Sequence, residues 1–177
     1  RILRQSAIFA LPYELDLKKV SGGLLVQEID ATAGSQNIFS NVVSRRQPTP
    51  EELRSVDFAW KICQFVKSNA IVFSRSTVTV GIGSGQMSRI DSLRIAVQKM
   101  KERSTQFTAP VITSTPPPLV MASDAFFPFR DCVDEAAKVG ATAIVQPGGS
   151  IRDQESIDAA NEHNISMNFT GIRHFRH

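Results

Sequence analysis

The stretch Ser123-Asp-Ala-Phe-Phe-Pro-Phe-Arg-Asp131 comes one residue after the apolar run 119–121. It packs three phenylalanines and a proline between two carboxylates and an arginine. After a strand, a proline-fixed turn can hold apolar faces beside ionised groups at a sheet end, where open α/β proteins place ligands. The alternative is that the phenylalanines fill a core while Asp124 and Arg130 face water. The interleaved charges favour a ligand site.

On both sides of this motif, strand-like and helix-like segments alternate. Thr49 followed by Pro50-Glu51-Glu52 is typical of a helix start. Apolar residues then recur at three- and four-residue steps, which predicts a helix to about Lys67 with one apolar face: Leu53, Val56, Ala59, Trp60, Cys63 and Val66. Further helices are predicted at 88–100, 131–139 and 153–163, and strands at 69–73, 77–82, 119–122, 142–146 and 165–169. This alternation predicts an α/β fold, a three-layer α/β/α sandwich.

The domain organisation follows from a change of pattern at residue 50. Residues 1–49 are predicted to be a loop-rich lead-in with short strands, such as 23–27, and residues 50–177 to form the α/β unit. Residues 101–118, which end in three prolines, are predicted to be a surface linker. The chain begins at Arg1 rather than at a methionine, and we therefore expect it to be a piece of a longer protein.

Composition excludes several classes of function. The net charge of +3 is spread without a basic block, so nucleic-acid binding is not predicted. No apolar run approaches the roughly 20 residues of a membrane span. Cys63 and Cys132 are far apart and lack CxxC spacing, so neither a zinc site nor a disulfide is predicted. We expect reduced cysteines and a cytoplasmic location.

Two glycine-rich segments follow predicted strands. Gly81-Ile-Gly-Ser-Gly85 allows close approach of a ligand to the backbone, but equally a tight connection. Arg89 lies in the next helical turn, where its charge opposes the helix dipole, and is therefore a ligand candidate. In the second segment, Gln146-Pro-Gly-Gly-Ser150, we expect Ser150 to cap the helix beginning at Asp153.

Two further segments leave alternatives open. Asn69 lies at a helix-to-strand corner, where it could end the helix in the left-handed conformation or form hydrogen bonds in a cleft. The C-terminal segment Arg173-His-Phe-Arg-His177 is either a frayed tail or one that docks over the sheet end. A docked tail would bring Arg173 to a phosphate or carboxylate, which the planar guanidinium suits.

Taken together, six blocks in order resemble the C-terminal part of the bifunctional purine biosynthesis family: Val20–Gln27, Phe65–Val72, Gly81–Arg89, Ser123–Asp131, Gln146–Asp153 and Arg173–His177. Members of that family join a phosphoribosylaminoimidazolecarboxamide (AICAR) formyltransferase to an IMP cyclohydrolase. The resemblance extends from about Val20 to the last residue.

The resemblance implies a transformylase built of two cytidine-deaminase-like α/β/α units, of which this chain holds the second. It also implies a homodimer with active sites between subunits. The reaction would transfer a formyl group from formyl-tetrahydrofolate to the exocyclic amine of AICAR in purine (IMP) biosynthesis. Despite the name of the fold, no zinc is expected, in agreement with the missing ligand spacing.

The resemblance also implies roles for individual residues. Asn69 would lie near the transferring formyl group. The folate would be held by Arg89, Ile90, Phe126, Pro128, Phe129 and Asp131, with Asp131 at the polar edge of the pterin. Arg173 and Phe175 would contact the nucleotide. A structural potassium ion near Ser68 and Asp124 is a further expectation.

One departure from the family is large. Its Lys-His-x-Ser-Pro motif, which supplies the general base and a cation for the oxyanion, occurs nowhere in these 177 residues, and the cyclohydrolase domain is absent. We therefore expect a half-site that needs an upstream transformylase unit. The alternative is a non-catalytic folate-binding or dimerisation module. The proline-rich segment 113–118 is a smaller departure, interpreted as a loop variation. A zinc nucleobase deaminase is excluded, because its motifs are missing.

Overall fold

The computed structural model describes residues 15–28, 30, 40–106, 116–174 and 176. The chain divides into two compact units, residues 1–34 and 35–177. In the first unit, β1 (Leu15–Val20) and β2 (Gly23–Glu28) form an antiparallel hairpin. Gly22 takes a φ of +79° in its tight turn, a conformation that is easy only for glycine. The strand predicted at 23–27 is confirmed, and the apolar side chains of the hairpin are exposed.

The second unit contains, in order, α1 (Pro50–Cys63), β3 (Ile71–Arg75), β4 (Val78–Gly83), α2 (Arg89–Gln106), β5 (Leu119–Ser123), α3 (Asp131–Lys138), β6 (Ala141–Gln146), α4 (Asp153–Glu162) and β7 (Ser166–Phe169). The sheet order is β4-β3-β5-β6-β7. Strands β5, β6 and β7 are parallel, and β3 is antiparallel to both its neighbours. The predicted linker is wrong for residues 101–106, which continue α2.

Successive residues of the central strands face opposite sides of the sheet. Ile71 and Phe73 belong to a core shared with α2, α3 and α4, whereas Val72 packs in a second core with α1. The predicted apolar stripe of α1 supplies the second core through four buried residues: Val56, Ala59, Trp60 and Cys63. The three-layer α/β/α sandwich is thereby confirmed.

Helix α1 begins as its sequence predicts. The Thr49 hydroxyl accepts a hydrogen bond from the Glu52 N–H (3.2 Å), and the Glu52 carboxylate accepts one from the Thr49 N–H (2.8 Å). This reciprocal cap satisfies two N–H groups that a helix start leaves unpaired. The helix ends at Cys63 rather than near Lys67, because the chain tightens there into hydrogen bonds spanning three residues.

The strand directions bring several loops to one edge of the sheet. Ile71 at the start of β3 pairs with Ser123 at the end of β5 and with Gly83 at the end of β4. Strands β6 and β7 also end at this edge, here called the carboxyl edge. Residue 69, just before β3, therefore lies beside the segments that follow β4 and β5. The chain before α1 runs antiparallel beside β7, with Val43 N–H donating to the Met167 carbonyl (2.9 Å). It reaches the opposite, amino edge at Arg46, which donates to the Thr142 carbonyl near the start of β6.

The first two glycines of the 81–85 segment are explained by close packing. A Cβ on Gly83 would lie 1.7 Å from the carbonyl oxygen of Ser92, and one on Gly81 would lie 2.2 Å from that of Ala96. Strand β4 therefore touches the backbone of α2. At these two positions the glycines therefore serve close strand–helix packing, which neither interpretation of the sequence had given.

Across the residues that the structure describes, no helix has both the length and the apolar character needed to cross a membrane.

Candidate functional site

A cavity of about 400 Å³ opens at the carboxyl edge of the sheet. Its wall includes Asn69 before β3, Arg89 and Ile90 at the start of α2, and Arg173 from the C-terminal segment. The loop after β5 and the start of α3 supply Phe126, Pro128, Phe129 and Asp131. These are eight of the nine residues to which the family resemblance gives a role, and the structure brings them to one cavity, while their roles in binding stay predictions. Phe175 lies outside the described residues.

Sequence reasoning missed four wall residues: Met87, Ser88, Ala125 and Cys132. Each is a direct neighbour in sequence of a residue that was predicted or of its motif. Proximity in the chain was therefore the signal available to find them. Among these four residues, Cys132 is the one with a titratable side chain, and burial raises the pKa of its thiol to about 12. It lines the cavity as a neutral thiol, and both cysteines of the chain are unpaired.

The three phenylalanines of the aromatic motif have different environments. Phe127 is fully buried in the core, and its N–H donates to the Gln146 side-chain oxygen (2.8 Å). Phe126 is partly buried in the cavity wall, and Phe129 is 49% exposed. Neither the core interpretation nor the ligand-site interpretation of the motif holds for all three rings. Phe127 fills the core and anchors the loop, whereas Phe126 and Phe129 line the cavity.

Asp124 is buried, so the alternative that it faces water is wrong. Its Oδ1 accepts hydrogen bonds from the Ala70 N–H (3.0 Å) and from the Arg89 guanidinium, while its Oδ2 accepts one from the Ser68 hydroxyl (2.5 Å). Two buried opposite charges with several hydrogen bonds form a rigid pair, because an unpaired charge in the interior is costly. The Arg89–Asp124 pair thereby fixes the start of α2 against the loop after β5.

The Arg89 guanidinium has further protein partners. It donates to the Ser123 hydroxyl (2.9 Å) and to the side-chain oxygen of Asn69 (2.8 Å). The side chain of Arg89 is only 6% exposed. The geometry thus gives Arg89 a structural task, which is to orient Asn69 and Asp124, in addition to its place in the cavity wall.

Asn69 is held by hydrogen bonds in the cleft. Its Nδ2 donates to the carbonyl oxygens of Gln86 (2.8 Å) and Met87 (3.3 Å), and its Oδ1 accepts from Arg89. Its backbone does not take the left-handed conformation, so the helix-ending alternative is wrong. With both N–H donors engaged, the acceptor capacity that Asn69 can still offer lies on Oδ1.

The C-terminal segment docks over the sheet end rather than fraying. The His174 N–H donates to the Asp124 carbonyl (3.0 Å), and the carbonyl of Arg176 accepts from the Ser68 N–H (3.0 Å). The His174 ring is buried against Trp60, with ring centroids 4.4 Å apart. The neighbouring Arg173 extends its guanidinium over the Phe126 ring, 5.7 Å from its centroid.

The potassium ion expected near Ser68 and Asp124 stays a prediction, and both side chains already have protein partners. The Ser68 hydroxyl already donates its proton to Asp124, and Arg89 neutralises the carboxylate. A cation at this carboxylate would meet the charge of the guanidinium. Among the described residues, no group of three or more His, Cys, Asp or Glu side chains could hold a metal ion.

The predicted cap of α4 is also wrong. The Ser150 hydroxyl accepts a hydrogen bond from the Arg152 N–H (3.1 Å), which precedes the helix, and the capping position itself is Arg152, without a side-chain cap. Ser150 lies too early in the chain, so it closes the turn before the helix. Asp153 braces the same turn by accepting from the Gly149 N–H (2.7 Å).

Two comparisons relate this chain to known proteins. The model of the AICARFT/IMPCHase bienzyme family matches residues 1–99. The bifunctional purine biosynthesis protein PurH of Aquifex aeolicus (strain VF5) is 49% identical over 175 residues, which is 99% of this chain and 32% of that protein. The chain thus spans about a third of the length of this curated relative. Because the family model covers more than half of the chain, and the identity to PurH extends over nearly all of it, the chain belongs to the AICARFT/IMPCHase bienzyme family.

Proposed function

We propose that this chain forms the half of an AICAR formyltransferase site that binds the reduced folate and part of the nucleotide. The complete reaction would move a formyl group from formyl-tetrahydrofolate to the exocyclic amine of AICAR. The observation that carries the proposal is one cavity that combines an aromatic wall, a carboxylate, an arginine and an oriented amide.

The folate would lie along the aromatic part of the wall. Phe126, Pro128 and Phe129 present apolar surface to a flat ring, as ligand sites commonly do. Asp131 accepts a hydrogen bond from the Cys132 N–H (2.8 Å), which fixes its carboxylate at the start of α3. A carboxylate has about four acceptor positions, so Asp131 can still accept from the N–H groups of a pterin.

The nucleotide would meet the cavity from the side of the C-terminal segment. The docked tail holds Arg173 over the Phe126 ring, where the guanidinium can form paired hydrogen bonds to a phosphate or carboxamide oxygen. Phe175, the next residue but one, is proposed as a second nucleotide contact from the family resemblance.

Asn69 would orient the reacting amine. Because both of its N–H groups donate to carbonyls of the turn before α2, its Oδ1 is the atom that can accept a hydrogen bond from the AICAR amine. An amide is too weakly basic to remove the proton, and the described wall contains no Lys or His. We therefore propose that the general base comes from the family's Lys-His-x-Ser-Pro motif, in an upstream transformylase unit of the same or of the partner subunit.

We also propose a reducing, cytoplasmic location for the protein, since its two cysteines are buried and unpaired. The cyclohydrolase activity of the family is assigned to a separate domain.

Binding and turnover of the 177-residue chain test this proposal together. We expect saturable binding of tetrahydrofolate by calorimetry, and no formyl transfer when AICAR and formyl-tetrahydrofolate are added. Phe129→Ala should weaken folate binding about tenfold through loss of a stacked ring. Phe65→Ala is the matched control, because Phe65 is an exposed ring outside the cavity wall. Efficient turnover by the chain alone would show that a base exists among its own residues.

A non-catalytic module is the second candidate, favoured by the exposed apolar hairpin β1–β2. Leu17 and Leu24 are each 58% exposed, and an isolated two-stranded hairpin is only marginally stable in water. A dimerisation role would account for such a surface. The two candidates differ in one outcome: only the half-site gains formyl transfer when a unit carrying the Lys-His-x-Ser-Pro motif is added.

A further inference from the structure

Arg130 lies at the junction between the aromatic motif and helix α3. It follows Phe129 and precedes Asp131, the first residue of α3, and both of these neighbours line the cavity. Arg130 itself is not part of the cavity wall. Because it is bonded through the backbone to two wall residues, any contact that fixes Arg130 also restricts them.

The guanidinium of Arg130 joins two helices. Its Nε and Nη2 donate to the two carboxylate oxygens of Asp134 on α3 (2.9 and 3.1 Å). Its Nη1 and Nη2 donate to those of Glu162, the last residue of α4 (3.3 and 2.5 Å). These hydrogen bonds lower the pKa of both carboxyl groups, so both are ionised at neutral pH. The paired contacts of one guanidinium with two carboxylates have a defined geometry, unlike a single exposed ion pair.

Helix α3 has need of such a contact. It contains only eight residues, and its capping residue, Arg130, makes no side-chain cap. A helix this short is marginal by itself, and its first turn begins with N–H groups that need partners. The carbonyl of Arg130 accepts hydrogen bonds from the N–H groups of Val133 (2.9 Å) and Asp134 (3.1 Å). The position of Arg130 therefore sets the position of the first turn.

The surroundings of Arg130 do not suit an anion-binding role. All three guanidinium nitrogens donate to carboxylate oxygens, and the two carboxylates together outweigh the single positive charge. An anionic ligand would therefore gain little attraction from this group. What the arrangement can do is hold the backbone on either side of Arg130.

We propose that Arg130 is a positioning residue for folate binding. By tying the first turn of α3 to the end of α4, it holds the ring of Phe129 and the carboxylate of Asp131 in the arrangement that the pterin would meet. The inference rests on the folate site proposed above. It adds to that site a residue that acts without touching the ligand.

The test measures the affinity of the 177-residue chain for tetrahydrofolate by calorimetry. We expect Arg130→Met to weaken binding about fivefold, the size expected for the loss of surface ion pairs that act together. Arg130→Lys should retain part of the affinity, because an ammonium group cannot form the paired contacts with both carboxylates.

The decisive variant is Glu162→Gln, because Glu162 does not line the cavity. If Arg130 positions the wall, loss of this carboxylate should weaken binding about two- to threefold. If Arg130 instead attracted the ligand by its charge, loss of a neighbouring negative charge would strengthen binding. The double variant with Arg130→Met should be no weaker than Arg130→Met alone, since both changes break the same contact.

Two changes on the same helix are the matched controls. Lys138→Met and Glu135→Gln alter the net charge equally and break an exposed ion pair of 2.6 Å outside the cavity wall. Their affinities should equal that of the unaltered protein. Without any ligand, amide hydrogen exchange at Val133 and Asp134 should be faster in Arg130→Met and Glu162→Gln than in the controls.

Unchanged or tighter binding in Glu162→Gln would overturn the inference and leave the folate site standing. Equal weakening in the two controls would overturn it as well, because the effect would then follow from charge or helix stability in general. If the unaltered protein does not bind tetrahydrofolate, the folate site itself is wrong and the inference falls with it.

Discussion

Two arginine–carboxylate pairs, one partly buried and one fully buried, lie at opposite edges of the same sheet. At the amino edge, Arg46 binds Glu52 through two hydrogen bonds of 2.6 and 3.0 Å, and it also donates to the Thr142 carbonyl. This pair joins the chain before α1 to the helix and to β6. At the carboxyl edge, Arg89 binds Asp124 and also orients Asn69.

The two pairs differ in what surrounds them. The Arg46–Glu52 pair joins three segments of the protein at the amino edge of the sheet. Arg89–Asp124 is even less exposed, yet Arg89 borders a cavity. A hydrogen-bonded ion pair removed from water can serve as a fixed support, because breaking it leaves an uncompensated charge. The same arginine–carboxylate chemistry therefore joins segments of the fold at one edge and orients a candidate site at the other.

Removal of the carboxylate at the carboxyl edge should have the largest effect. Asp124→Ala leaves the Arg89 charge buried without a counter-ion, and we expect the free energy of unfolding to fall by about 3–5 kcal/mol. Folate binding should weaken as well, because the pair fixes the start of α2 against the loop after β5, which carries the aromatic wall. Urea unfolding and calorimetry measure the two effects.

A double variant separates these effects. Arg89→Met with Asp124→Leu removes both charges, so it should recover much of the stability without recovering binding. Recovery of both would show that the pair has no part in organising the site.

The matching change at the amino edge should affect stability alone. Glu52→Ala removes the partner of Arg46 and half of the reciprocal cap, and we expect a loss of about 2–4 kcal/mol. Folate affinity should stay within about twofold, the resolution expected for a remote change. Glu52→Gln keeps an acceptor for the Thr49 N–H and should cost less. A large loss of affinity in either variant would break the proposed division between the edges.

Displacement of α2 should disturb the carboxyl edge from a distance. Gly83→Ala forces a Cβ into the Ser92 carbonyl, so we expect a loss of about 1–3 kcal/mol together with weaker folate binding, since the same helix begins at Arg89. Gly23→Ala is the control, because a Cβ there has no neighbour within 4 Å. Unfolding curves indistinguishable from those of the control would refute the close packing of β4 on α2.

The smallest expected effect is a dependence of stability on pH at the amino edge. Burial alone would raise the pKa of Glu52, but hydrogen bonds from Arg46 and Thr49 outweigh it and hold the pKa below its usual value of 4.5. A lowered pKa in the folded state means that this stabilisation is present above pH 4.5 and is lost as the pH falls through the folded-state value.

The stability difference between the unaltered protein and Glu52→Gln should therefore shrink in acid. Urea unfolding at a series of pH values down to about 3 measures it. A difference that grows in acid would contradict the assigned direction of the pKa shift.

Much of the fold could be predicted because its signals are local. The proline and acids after Thr49, and the three- and four-residue spacing up to Cys63, predict α1 without knowledge of any other part of the chain. The alternation of strands and helices likewise predicts the sandwich. The end of α2 was predicted too early. The polar residues after Met100 do not continue the apolar periodicity on which the prediction depended, although they contain no residue that ends a helix.

The sequence predicted which residues belong to the candidate site, but not how their side chains pair with one another. The aromatic motif, Arg89, Asn69 and Arg173 were identified from the sequence and its family resemblance, and the structure brings them to one cavity. The sequence could not show that Arg89 is committed to Asp124. That pairing depends on how α2 and the loop after β5 meet in space.

The amino-acid sequence by itself determined the order of helices and strands, the helix cap at Thr49 and the content of the aromatic motif. Only the tertiary structure decided that Phe127 enters the core while Phe129 stays at the cavity, and that Gly83 serves packing. The physical reason is range. Periodicity and capping depend on residues a few positions apart, whereas burial, ion pairing and close backbone approach depend on segments that meet only after the sheet has formed.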